Sequence, residues 1–462
     1  MRLSLISTAL FFASNALALR ARSTDPFYTP HPGFENTTAG TILKHRPVTP
    51  GFFGDISNPI DGYQLLYRST AINGGAIAAA TTIFVPKVST IKDRWISFHT
   101  AYDTSDPDCD PSKNYLYDGS QSNTIVSVEM LYIELFVALG YIVASPDFEG
   151  PDEAFGASPL AGMVTLDGIR AVNNFHWALE LTSPNPVVAG TGYSGGSIAS
   201  GWAAQLQPTY APELNIAVWS LGGVVSNLTA VFENIDGTFA AGYVPPVISG
   251  LRKPSAYGET LNPVIEQIIT PLGASYLDYT DTHCQTDDLE FFSGKTLLTT
   301  DVQTLGPGLL TDPTIASILE GTLLGTIKPS APLYVLQGLN DEVIPYDTVT
   351  EAVNNWCSMG ASVTFLTYLS GGHDTTEIFN IPNTIEFISN ALNGQVAAGC
   401  SSSTTADASL DPLYYGLDLE PILTRLVTIL ENYGKNDANV KKNINVLKGK
   451  YQSPAEKVKH HA

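Results

Sequence analysis

The chain has 462 residues, is 44% hydrophobic, and is acidic, with 45 Asp and Glu against 23 Lys and Arg for a formal net charge of −22. That balance excludes a nucleic-acid partner, whose binding depends on cationic side chains that neutralise phosphates. The length suits one large domain with insertions, and the apolar share is enough for a sizeable core.

The N-terminal stretch MRLSLISTALFFASNALA, residues 1–18, carries one arginine, an apolar run and a small-x-small end at Ala16-Leu17-Ala18. This is the pattern of a signal peptide cut near Ala18, and it predicts a secreted, extracellular protein. The run is too short to span a bilayer, and no later segment reads as a transmembrane helix. Two sequons, at Asn36 and Asn227, are expected glycosylation sites of a secreted chain. Residues 19 to about 60 read as a lead-in rich in proline and glycine.

Short β-branched runs follow at 81–86 (TTIFVP), 94–100 (RWISFHT), 141–147 (YIVASPD), 186–194 (PVVAGTGYS), 215–223 (NIAVWSLGG), 332–339 (PLYVLQGL) and 363–369 (VTFLTYL). Helical patterns separate several of them, at 122–140 and 162–180. Alternating strands and helices predict an α/β fold with a parallel sheet covered on both faces. From about Leu228 to Ile327 the rhythm breaks into scattered apolar helices with proline and glycine interruptions. A connection of that length predicts an inserted, mostly helical cap or lid. After Cys400, SSSTTADAS reads as a linker, and Leu419, Ile422, Leu423, Leu426, Val427 and Leu430 mark an amphipathic helix. The last 28 residues hold seven lysines and read as a disordered tail.

The four cysteines, Cys109, Cys284, Cys357 and Cys400, are an even count in an oxidising compartment. They predict two disulfides, with all three pairings open. No C-x-x-C spacing suggests zinc, and the chemistry inferred below requires neither metal nor organic cofactor.

The stretch GTGYSGG, residues 190–196, supplies that chemistry. Its core Gly192-Tyr193-Ser194-Gly195-Gly196 matches G-x-S-x-G, the strand-to-helix elbow that exposes a nucleophilic serine in α/β-hydrolases. Val187, Val188 and Ala189 precede it as a strand, and Ile198, Ala199, Trp202, Ala203 and Leu206 follow at helical spacing. A serine hydroxyl needs a base, and the base needs an orienting carboxylate. In this fold they follow in the order serine, acid, histidine. Asp341 follows the strand of YVLQGLND, with Glu342 as its nearest rival and a turn-forming aspartate as the bland reading. His373 follows the strand TFLTYL through a Gly-Gly loop, whereas His176 lies in a helical pattern, His283 adjoins Cys284, and His460 and His461 lie in the lysine-rich tail. The expected triad is Ser194, Asp341 and His373.

A tetrahedral intermediate also needs donors for its oxyanion. The Gly195 N–H is one. The loop after RWISFHT offers the other at Asp103, through its backbone or through a protonated carboxyl, since a charged carboxylate would repel the oxyanion.

These residues resemble the fungal secretory lipase family. The resemblance rests on GYSGG at 192–196, YAPELNI at 210–216, DGIRA at 167–171, NDEVIPY at 340–346 and HDTTEIF at 373–379, with AYDTSDPDCDPS at 101–112 matching in layout. It covers roughly residues 28 to 400. It implies an α/β-hydrolase core, a cap between Ser194 and Asp341, and disulfides Cys109–Cys284 and Cys357–Cys400. It also implies action on acylglycerols and other carboxylic esters, with an oil–water interface as a possible partner. Some members deacylate secondary metabolites such as trichothecenes. The expectation is therefore a secreted serine lipase or carboxylesterase, with Phe232, Phe239, Tyr243, Val244 and Ile248 as an acyl-binding wall. The alternatives are an esterase deacetylating a fungal metabolite and a non-catalytic binding protein on a hydrolase fold.

Overall fold

The computed structural model describes residues 25–406, apart from 53–55, 58–59, 88–89 and 121. The expected signal peptide, the amphipathic pattern at 419–430 and the lysine-rich tail lie outside the described residues.

A ten-stranded mixed sheet forms the centre. Its strands are β1 (Ile42–Val48), β2 (Asp61–Thr70), β3 (Ala76–Val85), β4 (Arg94–His99), β5 (Ile142–Pro146), β6 (Val187–Tyr193), β7 (Ile216–Gly222), β8 (Leu333–Gly338), β9 (Val363–Tyr368) and β10 (Cys400–Thr405). Their spatial order is β1-β2-β3-β5-β4-β6-β7-β8-β9-β10. The seven strands from β5 to β10 in that order run parallel, and β1, β2 and β3 form an antiparallel edge. Each central strand reads as a continuous apolar run because both faces are covered. Trp95, Trp219 and Trp356 are fully buried around it, and truncating any one of them costs about 3–5 kcal/mol.

Three strands depart from the sequence reading. The lead-in contains β1, β2 follows it at Asp61–Thr70 where no strand is expected, and the linker-like stretch after Cys400 is the edge strand β10, paired in register with β9. Its exposed serines and threonines carry no apolar alternation, so backbone pairing alone makes it a strand.

The principal helices are α1 (Thr124–Ala138), α2 (Ser158–Asn174), α3 (Gly195–Tyr210), α4 (Leu228–Ile235), α5 (Val244–Leu251), α6 (Gly258–Ile268), α7 (Pro271–Thr280), α8 (Gln285–Phe292), α9 (Pro313–Glu320), α10 (Tyr346–Ser358) and α11 (His373–Leu392). The crossover from β4 through α1 to β5 runs opposite to that from β6 through α3 to β7. Right-handed connections therefore put α1 and α3 on opposite faces. This is the α/β-hydrolase arrangement. Helices α4 to α9 all fall between β7 and β8. No helix among the described residues is long and apolar enough to cross a membrane.

Two disulfides are present, Cys109–Cys284 and Cys357–Cys400. The first ties the loop after β4 to the start of α8. The second fastens β10 to α10.

Candidate active site

The parallel strands end together. In register, His99 of β4 lies opposite Gly192 of β6, Tyr193 opposite Gly222 of β7, and Gly338 of β8 opposite Tyr368 of β9. The loops that follow these strands carry Asp103, Ser194, Asp341 and His373 to one sheet edge.

Ser194 sits in a strained backbone conformation, φ 50° and ψ −122°, between β6 and the first residue of α3. Such a conformation persists only where the surroundings force it. Here the turn is squeezed: a Cβ on Gly196 would lie 1.9 Å from the His99 carbonyl oxygen. The Ser194 amide donates to the Gly222 carbonyl at 3.0 Å, and its own carbonyl accepts from Ser197 N at 2.8 Å. The serine is thus pinned on both sides of its Cα.

Ser194 Oγ lies 2.8 Å from His373 Nε2. His373 Nδ1 lies 2.8 Å and 3.0 Å from the two Asp341 oxygens. Asp341 is itself held: Oδ1 accepts from the amides of Val343 and Ile344 at 3.0 and 2.8 Å, and Oδ2 accepts from Gln337 Nε2 at 2.8 Å. A carboxylate facing Nδ1 makes that nitrogen the donor, which leaves Nε2 free to accept the serine proton. Burial opposes a charge on His373, but the Asp341 carboxylate and its hydrogen bond, with Asp374 and Glu342, outweigh it and raise the imidazole to about 9.

Two further residues hold the histidine through its main chain, and the sequence reading assigned neither this part. The Glu342 carboxylate accepts the His373 amide at 2.9 Å, and the Tyr193 hydroxyl donates to the His373 carbonyl at 2.7 Å. Glu342 was weighed only as a rival to Asp341. Tyr193 was the unspecified residue of G-x-S-x-G.

Asp103 lies in the same pocket, with a positive φ of 43°. Its loop is rigidly supported: the Ala101 amide donates to both Glu129 oxygens at 3.2 and 3.1 Å, and Asn123 Nδ2 donates to the Tyr102 carbonyl at 3.0 Å. The Asp103 carboxyl rests against Gly195, where a Cβ would fall 1.7 Å from Oδ1. Burial pushes this carboxyl up to about 7, against the Gln285 hydrogen bond and the nearby His373. Among the described residues, neither the Asp103 nor the Gly195 amide donates to a protein acceptor. Gly195 opens α3, so its N–H lies at the positive end of the helix dipole.

The helical segment between β7 and β8 lies over this edge. Asn234 of α4 donates to the carbonyls of Glu342 and Val343 at 3.0 and 3.1 Å. Tyr243 is close enough to feel Asp103 and Asp341, and burial first, then these charges, holds its hydroxyl neutral. Of the apolar residues expected to form a wall, Val244 and Ile248 line an apolar cavity with Ile265, Ile268, Leu277 and Leu298. Phe232 is packed in the core, and Phe239 is 56% exposed, so neither forms that lining. The two expected glycosylation sites differ: Asn36 is exposed, whereas the Asn227 side chain caps α4 by accepting from Ala230 N at 3.2 Å. Among the described residues no cluster of ligating side chains could hold a metal ion.

The sequence profile of the secretory lipase family matches residues 117–399. A secreted triacylglycerol lipase of Malassezia globosa is 36% identical over 456 residues, spanning 95% of this chain and 98% of its own. Another from Malassezia furfur is 33% identical over 422 residues, spanning 90% and 85% respectively. The crystal structure of Candida antarctica lipase A in its closed state superposes with a TM-score of 0.78 at 28% identity, covering 87% of this chain and 94% of that one.

Proposed function

Since the chain belongs to the secretory lipase family and is a secreted carboxylic ester hydrolase, we propose that it hydrolyses acylglycerols through a Ser194-His373-Asp341 triad and an acyl-enzyme. The observation that carries this reading is the unbroken hydrogen-bond chain from Ser194 Oγ through His373 to Asp341.

In the first step the Ser194 proton passes to His373 Nε2 as Oγ attacks the ester carbonyl carbon. The carbonyl π electrons move onto oxygen, where the Gly195 N–H and Asp103 stabilise them. The intermediate collapses, and the leaving alkoxide takes the proton from His373. Water then repeats the sequence on the acyl-enzyme, with His373 again the base, and releases the acid. Asp341 keeps the imidazole in the correct tautomer throughout.

The helical segment acts as a cap, and the acylglycerol reading rests on the family rather than on the apolar cavity beside Val244 and Ile248, whose lining includes none of Ser194, His373 or Asp103. Exposed Phe239, Leu339 and Leu369 suit contact with an oil–water interface. Asn36 is the sequon better placed for glycosylation.

The test is hydrolysis of p-nitrophenyl esters from acetate to palmitate, and of emulsified triglyceride, by wild type and Ser194→Ala. Activity on long chains that falls about 10⁶-fold in the variant is expected. Activity confined to acetate would favour a metabolite deacetylase. Retained activity in Ser194→Ala would overturn the triad.

A further inference from the structure

One polar contact crosses from the helical cap into the oxyanion pocket. Gln285 is the first residue of α8 and follows Cys284, whose disulfide partner Cys109 lies on the Asp103 loop. Gln285 is buried, and its Nε2 donates to two acceptors: the Ala101 carbonyl at 3.2 Å and Asp103 Oδ2 at 3.0 Å.

The first acceptor fixes the amide's orientation. A backbone carbonyl can only accept, so the side of the amide facing Ala101 is the nitrogen. The same nitrogen then presents its second hydrogen to Asp103 Oδ2. Oδ2 is thereby committed as an acceptor and cannot carry the acid proton toward Gln285. The other oxygen, Oδ1, is buried, has no partner among the described residues, and packs against Gly195.

We infer that Gln285 is a positioning residue supplied by the cap, which places the proton of neutral Asp103 on Oδ1 so that it is aimed at the oxyanion. The inference rests on the ester-hydrolase reading above. Asp103 then donates from Oδ1 beside the Gly195 N–H, and no bond other than hydrogen bonds changes at either residue. The unpartnered buried oxygen, otherwise a cost to the fold, finds its partner in the transition state. The cap thus contributes to the catalytic geometry.

The experiment is steady-state kinetics on a soluble short-chain ester as a function of pH, with Tm and disulfide content measured on every variant. Asp103→Asn supplies a permanent donor: its amide oxygen accepts from Gln285 and its NH₂ takes the place of Oδ1. It should retain more kcat than Asp103→Leu and lose the alkaline limb caused by Asp103 ionisation. Asp103→Leu should lose about 10²–10³-fold in kcat, as for a missing oxyanion donor. Gln285→Met should lower kcat by about 10- to 100-fold with little change in KM. It should also move the break set by Asp103 to higher pH, because the Gln285 hydrogen bond favours the ionised form. Gln285→Glu, nearly isosteric, should lose activity as well.

Wild-type kcat in Asp103→Leu would overturn the inference, because Asp103 would then act only through its main chain. So would an unchanged kcat and pH profile in either Gln285 variant. Failure of an organophosphonate to label Ser194 in the wild type would instead sink the hydrolase reading beneath it.

Discussion

The Tyr193 hydroxyl donates to the main-chain carbonyl of His373 across 2.7 Å, joining the residue before Ser194 to the histidine that faces the Ser194 hydroxyl. The Tyr193 ring also lies 5.2 Å from the imidazole, centroid to centroid. The position left free by the G-x-S-x-G pattern is therefore committed here to holding His373.

Tyr193→Phe should leave the His373 carbonyl without this donor while keeping the ring. Losing one hydrogen bond to a carbonyl in the first turn of α11 costs about 0.5–1.5 kcal/mol. The expected result is a lowered Tm and a kcat reduced several-fold, with KM little changed. Equal Tm and kcat in the two proteins would show that the hydroxyl is dispensable.

Asp341→Asn should cost far more. The side-chain oxygen must stay on the Val343 and Ile344 amides, so the new NH₂ faces Gln337 and His373 Nδ1. Nδ1 becomes an acceptor, Nε2 carries the hydrogen, and the serine proton has nowhere to go. A loss of about 10⁴ in kcat is expected.

The pH profile follows from two groups. His373, raised to about 9, must be neutral to accept a proton, so kcat/KM rises with pH through its titration. Asp103, raised to about 7, must keep its proton to donate, so kcat/KM falls with pH through its own. Because the base titrates above the acid, the productive pair is a minority form, and the two groups predict a broad bell whose limbs break at about 7 and about 9. In Asp341→Asn the charge that raises His373 is gone, and the limb governed by the imidazole should move to lower pH. A wild-type profile that falls neither below about pH 7 nor above about pH 9 would contradict both assignments.

Stability should run opposite to that of most proteins. Glu129, Asp147, Glu149 and Glu153 are buried, and burial first, then neighbouring carboxylates, holds them well above the usual range. The folded state keeps protons that the unfolded chain releases above about pH 4, so stability falls as pH rises. His373 acts in the same direction: its contribution is full below about 6.5 and is lost as pH passes about 9. Calorimetry should give a higher Tm at about pH 5 than at about pH 8. A Tm that climbs with pH would refute this.

The elbow tolerates no added methyl group. Gly196→Ala would put its Cβ 1.9 Å from a backbone oxygen that cannot swing away. Loss of activity together with loss of stability is expected, unlike Ser194→Ala, which should fold normally. Thermal melts of the two variants side by side make the comparison.

Much of the sheet and the candidate site residues are legible because local chemistry announces them. Strands covered on both faces read as apolar runs, and a serine between glycines after such a run has a narrow set of explanations. Strands β1, β2 and β10 escaped because half-exposed, polar-interrupted or hydroxyl-rich strands carry no such run. Gln285 escaped because its meaning is spatial, and nothing in its neighbourhood sets it apart until Cys284 is joined to Cys109. Phe239 was misjudged because an aromatic side chain in a cap segment can face either the cavity or the solvent, and sequence alone does not choose.

The Cys109–Cys284 bond closes a loop of 175 residues in sequence, which would contribute roughly 5 kcal/mol by chain entropy alone. It also has a mechanical meaning. The bond rivets the start of α8 to the loop that carries Asp103, and two hydrogen bonds flank the rivet: Ser105 Oγ donates to the Thr280 carbonyl at 3.1 Å, and Lys253 Nζ donates to the Ser105 carbonyl at 3.0 Å. The end of α7 and the start of α8 are thereby seamed to one loop.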